Sequence, residues 1–201
     1  MTMRIYGDSR SGNCLKVKWT ADKLGLPYEW VEVDIKQGTT RTEEFLTLNP
    51  AGQVPAVILD GGRALSQSNA IILHLAEGSI LVPKDAYERA KMYEWLFWEQ
   101  YSHEPYIAVA RWLVLGSGKK VEELDPKLVQ RGEAALQRLE LQLAKTPFLV
   151  GDHLSLADVS LVAYTRVADE GGFDLNKYPG IQAWIARVEP ALRIEAYGSW
   201  D

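Results

Sequence analysis

The segment Asn49-Pro-Ala-Gly-Gln-Val-Pro-Ala-Val57 constrains the fold of this 201-residue chain more than any other stretch. Pro55 has no N–H to give a sheet ladder, so the apolar run behind it opens a strand whose entry is unpaired, and the backbone of Val54 stands at that unpaired edge. After a tight turn comes Ser66-Gln67-Ser68-Asn69. Near the amino end stands Tyr6-Gly-Asp-Ser-Arg-Ser-Gly-Asn-Cys14, which follows a short strand and opens a helix. Hydroxyls and amides at two helix starts supply fixed donors for anionic groups.

Periodicity supplies the elements around these segments. Residues 3–6 predict a strand. Residues 12–24 predict a helix, with Cys14, Val17, Ala21 and Leu24 at helical spacing and Gly25 as its stop. Tyr28 to Val33 predicts a second strand, Thr42 to Leu48 a short helix, and Ala56 to Leu59 a buried strand. Asp60-Gly61-Gly62 turns that strand into a return strand over 63–65, and a helix follows over 67–76. The order is β-α-β-α-β-β-α. The second half reads as helix almost throughout. One long helix runs from about Tyr87, is interrupted at Pro105 and ends at Gly116-Ser-Gly118. Another starts at Asp125-Pro126, with Leu128, Leu136, Leu139 and Leu143 as its inward stripe. A third opens at Ser155, where Asp158 completes a capping box that orders the helix start, and a last one follows Tyr178-Pro179. The expected domains are 1–78 and 87–201, joined by a linker at about 79–86.

Bulk properties narrow the function classes. A hydrophobic fraction of 47% is ample for a core. A net charge of −5 argues against nucleic acid or an anionic membrane as the main partner. A single cysteine excludes an internal disulfide framework and a cysteine-rich zinc site, and His74, His103 and His153 have no metal-ligand spacing, so no metal is expected. No apolar run approaches the roughly 18–20 residues that span a bilayer, and no signal-peptide pattern precedes the first strand. These features predict a soluble, cytoplasmic protein.

Asn-Pro-Ala-Gly-Gln-Val-Pro-Ala at 49–56, Ser-Gln-Ser-Asn-Ala-Ile at 66–71 and Leu-Val-Gly-Asp-His-Leu-Ser-Leu-Ala-Asp at 149–158 make the chain resemble the cytosolic glutathione S-transferase family over essentially its whole length. The resemblance implies an α/β thioredoxin-like amino-terminal domain with a mixed sheet, an all-α carboxy-terminal domain, and a homodimer. It implies attack of a bound glutathione thiolate on a small hydrophobic electrophile, with glutathione as co-substrate. The same scaffold also carries glutathione-dependent isomerases, disulfide reductases, binding proteins for hydrophobic ligands, and interaction modules.

The resemblance also assigns residues. Val54 would pair its backbone with the cysteinyl part of glutathione, with Pro55 in the cis form. Gln67 and Ser68 would hold the γ-glutamyl end, Gln67 standing where many relatives have Glu. Arg41 would meet the glycyl carboxylate, with Lys36 as its alternative. Setting Lys16-Val17 on the family's basic–apolar pair puts Ser11 at the thiol-activating position of the serine classes, with Ser9, Asn13 and Tyr6 as rivals. Lowering a thiol pKa from about 8.5 to about 6.5 needs roughly 2.7 kcal/mol, which a charge-assisted hydrogen bond and a helix amino terminus together supply. Arg10, Tyr106, Arg111 and Trp112 are the candidates for the second-substrate pocket. Cys14 shares the inward stripe of its helix and lacks the preceding cysteine of a dithiol motif, so it is expected to be buried and inert.

Overall fold

The computed structural model describes residues 2–195. They divide into two units, 2–79 with 192–195, and 80–191. Residue 79 of the expected linker falls with the first unit and residues 80–86 with the second, where the Leu81 carbonyl accepts the Leu156 N–H at 3.0 Å.

The first unit is a four-stranded mixed sheet with helices. Its strands are β1 (Met3–Gly7), β2 (Tyr28–Glu32), β3 (Ala56–Ile58) and β4 (Ala64–Ser66), in the spatial order β2-β1-β3-β4. β1 and β2 are parallel, because α1 (Gly12–Leu24) carries the chain back between them. β3 runs antiparallel to both β1 and β4. Alternation along β1 buries Met3, Ile5 and Gly7 on one face and leaves Arg4 and Tyr6 half-buried on the other. Gly7 sits under α1, where an added Cβ would strike the Trp30 ring and the Cys14 Cβ, so only glycine allows this approach of strand and helix. Cys14, Val17 and Ala21 are fully buried, as their spacing predicts.

α2 (Glu43–Leu48) is capped by Thr42, whose hydroxyl accepts the Phe45 N–H at 3.3 Å. The β3–β4 turn takes in Leu59 to Gly62, and the return strand begins at Ala64, one residue later than its sequence indicates. Gln67 precedes α3 (Ser68–Leu75) as its cap rather than forming its first residue.

The second unit is helical. α4 (Ala86–Trp98) passes into α5 (Glu104–Arg111) through a turn opened to π pitch, Glu99–His103, and a second such turn, Trp112–Gly116, follows α5. Pro105 therefore does not break the long helix. It cannot donate a hydrogen bond, and the turn before it widens so that the Glu104 N–H reaches the Glu99 carbonyl, five residues back. α6 (Pro126–Leu143) begins on the Asp125 cap and buries Leu136, Leu139 and Leu143, while Leu128 is half-buried. Every residue of α7 (Leu156–Thr165) is buried. At its head the Asp158 carboxylate accepts four hydrogen bonds of 2.9–3.0 Å. Oδ1 takes the Leu149 N–H and Trp184 Nε1–H, and Oδ2 takes the Ser155 N–H and hydroxyl. Burial pushes this carboxyl above the ordinary aspartate value in spite of those donors. α8 spans Pro179–Leu192.

Candidate functional site

Sheet register brings the three chemically marked segments to one place. Ala56 pairs with Tyr6 on one side and with Ser66 on the other. The exit of β1, the entry of β3 and the exit of β4 therefore share one end of the sheet. That end carries the loop into α1, the prolyl turn and the start of α3.

The loop into α1 is fastened by charge. Asp8 is fully buried. Arg10 donates to it from Nε (2.8 Å), from Nη2 (2.6 Å) and from its backbone N–H (2.9 Å), and the same Nη2 reaches Asp34 at 2.7 Å. Burial alone would raise the Asp8 pKa, but the hydrogen bonds from Arg10 outweigh it and hold the carboxyl below the usual range. Ser11 then caps α1 in an extended conformation, and its carbonyl accepts the Cys14 and Leu15 N–H groups at 3.0 Å. The Ser11 side chain makes no capping bond, and burial pushes the Cys14 thiol pKa up to about 12.

The first turns of α1 and α3 are joined directly. Asn13 Oδ1 accepts Lys16 Nζ at 2.8 Å and Ser68 Oγ at 3.2 Å. Lys16 is fully buried and Ser68 nearly so. Gln67, immediately before α3, has φ 72° and ψ 112°, a left-handed φ that costs a non-glycine residue about 1–3 kcal/mol.

The prolyl turn is built on buried Asn49. Its Nδ2 donates to the Gln53 carbonyl at 2.7 Å, its Oδ1 accepts the Ala51 N–H at 3.2 Å, and its carbonyl accepts the Gly52 N–H at 2.9 Å. Arg41 lies over this turn, with Nη1 donating to the Ala51 carbonyl at 3.3 Å. Gly52 has φ 61°, and a side chain there would collide with the Arg41 guanidinium. The Val54–Pro55 bond is cis, and the β3 ladder starts only at Ala56, which leaves Val54 beyond the last paired residue.

Residues 10–77 match the description "Glutathione S-transferase, N-terminal domain", and residues 92–190 match "Glutathione S-transferase, C-terminal domain". Mouse glutathione S-transferase theta-1 is 32% identical over 206 residues, covering 96% of this chain and 84% of that protein. The chain belongs to the glutathione S-transferase family. A glutathione S-transferase from Pseudomonas fluorescens Pf-5 has a crystal structure similar to this one, with a TM-score of 0.90 and 53% identity over 94% of this chain and 95% of the other. The Escherichia coli disulfide-bond oxidoreductase YfcG is 27% identical over 86% of this chain and 84% of its own length.

Within this transferase, Ser11, Asn13, Gln67 and Ser68 come together at the two helix starts, and Val54, Pro55 and Arg41 lie in or against the prolyl turn. The other two candidate thiol donors are engaged elsewhere. The Ser9 hydroxyl and N–H both donate to Glu32 Oε1, at 3.1 and 2.8 Å. Tyr6 belongs to the face of β1 opposite α1, edge-on to Phe45 and beneath the Arg4 guanidinium. That face borders a cleft of about 510 Å³ lined by Arg4, Tyr6, Val33, Phe45, Leu48 and Ile58.

Of the residues considered for the second substrate, Arg10 is the clamp on Asp8 and Asp34. In the helical unit the Tyr106 hydroxyl accepts Arg131 Nη1 at 2.7 Å, Arg111 is buried in an ion pair with Glu170, and Trp112 is 37% exposed. Among the described residues, no group of three or more His, Cys, Asp and Glu is arranged to hold a metal ion, and no helix is long and apolar enough to cross a membrane.

Sequence reasoning missed Lys16, Asp8 and Asn49 as parts of the site. Lys16 carries a readable signal. It is an ammonium placed beside Val17 in a helix whose neighbouring positions, Cys14 and Leu15, are apolar, so its charge has to be met inside the protein.

Proposed function

We propose that this glutathione S-transferase binds glutathione across the two joined helix starts and the prolyl turn. It would use the bound thiolate to attack a small hydrophobic electrophile in the cytoplasm, as a homodimer. The observation that carries this reading is the convergence of α1, α3 and the entry of β3 at one end of the sheet, with Asn13 and Ser68 hydrogen-bonded between the helices. The Val54 backbone offers the strand-like pairing that a cysteinyl group needs. Ser68 and the first N–H groups of α3 face the γ-glutamyl carboxylate, and the Gln67 amide oxygen meets its ammonium. Arg41 supplies a planar fork for the glycyl carboxylate. At the sulfur, Ser11 Oγ and Asn13 Nδ2 are the donors, and the amino end of α1 adds its partial positive charge. Glutathione is itself the nucleophile, so the protein contributes position and stabilisation of the anion.

Isothermal calorimetry with glutathione and with cysteinylglycine, followed by ultraviolet titration of the bound thiol, tests this. Glutathione should bind at least tenfold more tightly than the truncated peptide, and its thiol should ionise below its solution value. Equal affinities would remove the γ-glutamyl assignment. Conjugation of an aryl halide, measured beside reduction of a low-molecular-weight disulfide, separates transfer from the oxidoreductase activity named for the Escherichia coli relative.

A further inference from the structure

We infer that Lys16 is a positioning residue for the thiol chemistry, fixing which end of the Asn13 side-chain amide faces the substrate sulfur. The inference rests on the glutathione site proposed above. An ammonium has three donors and no acceptor, so the 2.8 Å contact with Lys16 Nζ identifies the Asn13 atom on that side as the carbonyl oxygen. Ser68 Oγ donates to the same oxygen at 3.2 Å. Two donors on Oδ1 turn the Asn13 NH₂ group to the opposite side, away from Lys16 and Ser68.

Asn13 is the second residue of α1, in the turn that carries the positive end of the helix. An N–H donor in that place favours a thiolate, whereas a carbonyl oxygen there favours the protonated thiol. The two orientations of one amide thus act on the bound sulfur with opposite signs, and Lys16 permits only one of them. Ser68 does not enforce the same choice, because a hydroxyl donates to an oxygen as readily as it accepts from an NH₂ group.

Lys16→Met tests the inference. The apparent pKa of bound glutathione, read from thiolate absorbance, should rise by about one pH unit, and kcat below that pKa should fall about tenfold. Affinity for S-methylglutathione, which has no thiol to ionise, should stay within about threefold, because a flipped Asn13 still bonds Ser68. In an Asn13→Ala background the same lysine substitution should produce no further rise. An equal rise in that background would show that Lys16 acts without Asn13 and would overturn the inference.

If Lys16→Met does not fold, Asn13→Asp decides the matter. It keeps an acceptor for Lys16 and Ser68 but puts an oxygen where Nδ2 stood, so the bound-thiol pKa should rise by at least about one unit while S-methylglutathione still binds. An unchanged pKa in Asn13→Asp overturns the inference alone. A wild-type protein that leaves the glutathione thiol at its solution pKa removes the underlying site as well.

Discussion

The Arg10 guanidinium holds the Asp8 carboxylate with two prongs, Nε to Oδ1 at 2.8 Å and Nη2 to Oδ2 at 2.6 Å, on a side chain with no solvent exposure at its acidic end. Because Nη2 also reaches Asp34, one arginine ties the loop entering α1 to the turn at 35–37. The hydrogen bonds from Arg10 hold both carboxyls below their ordinary value of 3.8, against burial in the case of Asp8. The folded state therefore binds fewer protons than the unfolded chain. The stabilisation is complete above about pH 4 and is lost as pH falls through the folded values. Asp8→Asn should cost about 1–3 kcal/mol at pH 7, since it removes the charged partner of Arg10 at Asp8 and leaves it only the bond to Asp34. It should also flatten the acid limb of the stability curve, and urea melts from pH 7 to pH 3 on both proteins measure the two effects.

Cys14 should be silent toward alkylating and disulfide reagents in the native protein. With its pKa pushed to about 12 by burial, about 10⁻⁵ of it is thiolate at pH 7. Iodoacetamide labelling followed by mass spectrometry should modify the chain only after denaturant is added. Rapid labelling of the folded protein would reopen mixed-disulfide chemistry at this residue.

Loss of the Ser68 hydroxyl should weaken glutathione binding by about 1–3 kcal/mol, the worth of a charge-assisted bond to a carboxylate. Calorimetry on Ser68→Ala reads this directly. Affinity for cysteinylglycine, which lacks the γ-glutamyl group, should change far less, and equal losses for both ligands would mean that Ser68 only braces α3.

Tyr93, Phe97 and Tyr101 are spaced four apart, and Phe97 and Tyr101 are 75% and 81% exposed. Large aromatic rings grouped on an open helix face mark an association surface. Light scattering should return twice the chain mass of 22.6 kDa, and Phe97→Asp should shift the protein toward the single chain. A wild-type mass near 22.6 kDa at working concentration would contradict the dimer.

Asp158→Ala should destabilise the helical unit by about 3 kcal/mol or more, because it strands the Leu149 and Ser155 N–H groups and Trp184 Nε1 in the interior. For a chain of this size each kcal/mol moves the melting midpoint by about 2–4 °C, so differential scanning fluorimetry resolves the loss easily. Glutathione affinity in the surviving folded fraction should be untouched, as expected of a structural carboxylate.

What the sequence made legible is what short-range chemistry decides. α1 stops at Gly25 because a left-handed glycine is a local signal, and the Asp158 box at the head of α7 lies within four residues. The Asn13–Ser68 bond joins positions 55 apart, so no window along the chain contains it. The positive φ of Gln67 is imposed by the step from β4 into α3, and nothing in a glutamine's own preferences announces it. Arg10 and Arg111 were visible as charges, but their partners Asp34 and Glu170 are supplied by the fold. Pro105 signalled a disturbance of the helix correctly, but not whether the chain would break or widen there.

The widening has a bookkeeping consequence in azimuth. A turn of π pitch spends an extra residue without advancing the helix by another full turn, and one residue of α-helix corresponds to about 100° of rotation. Everything beyond His103 is therefore re-phased against α4. Ile107, Ala110 and Arg111, beyond that extra step, face the interior. Deleting one of residues 99–103 would remove the extra step and turn the second half of the helix against α4, shifting Arg111 relative to Glu170.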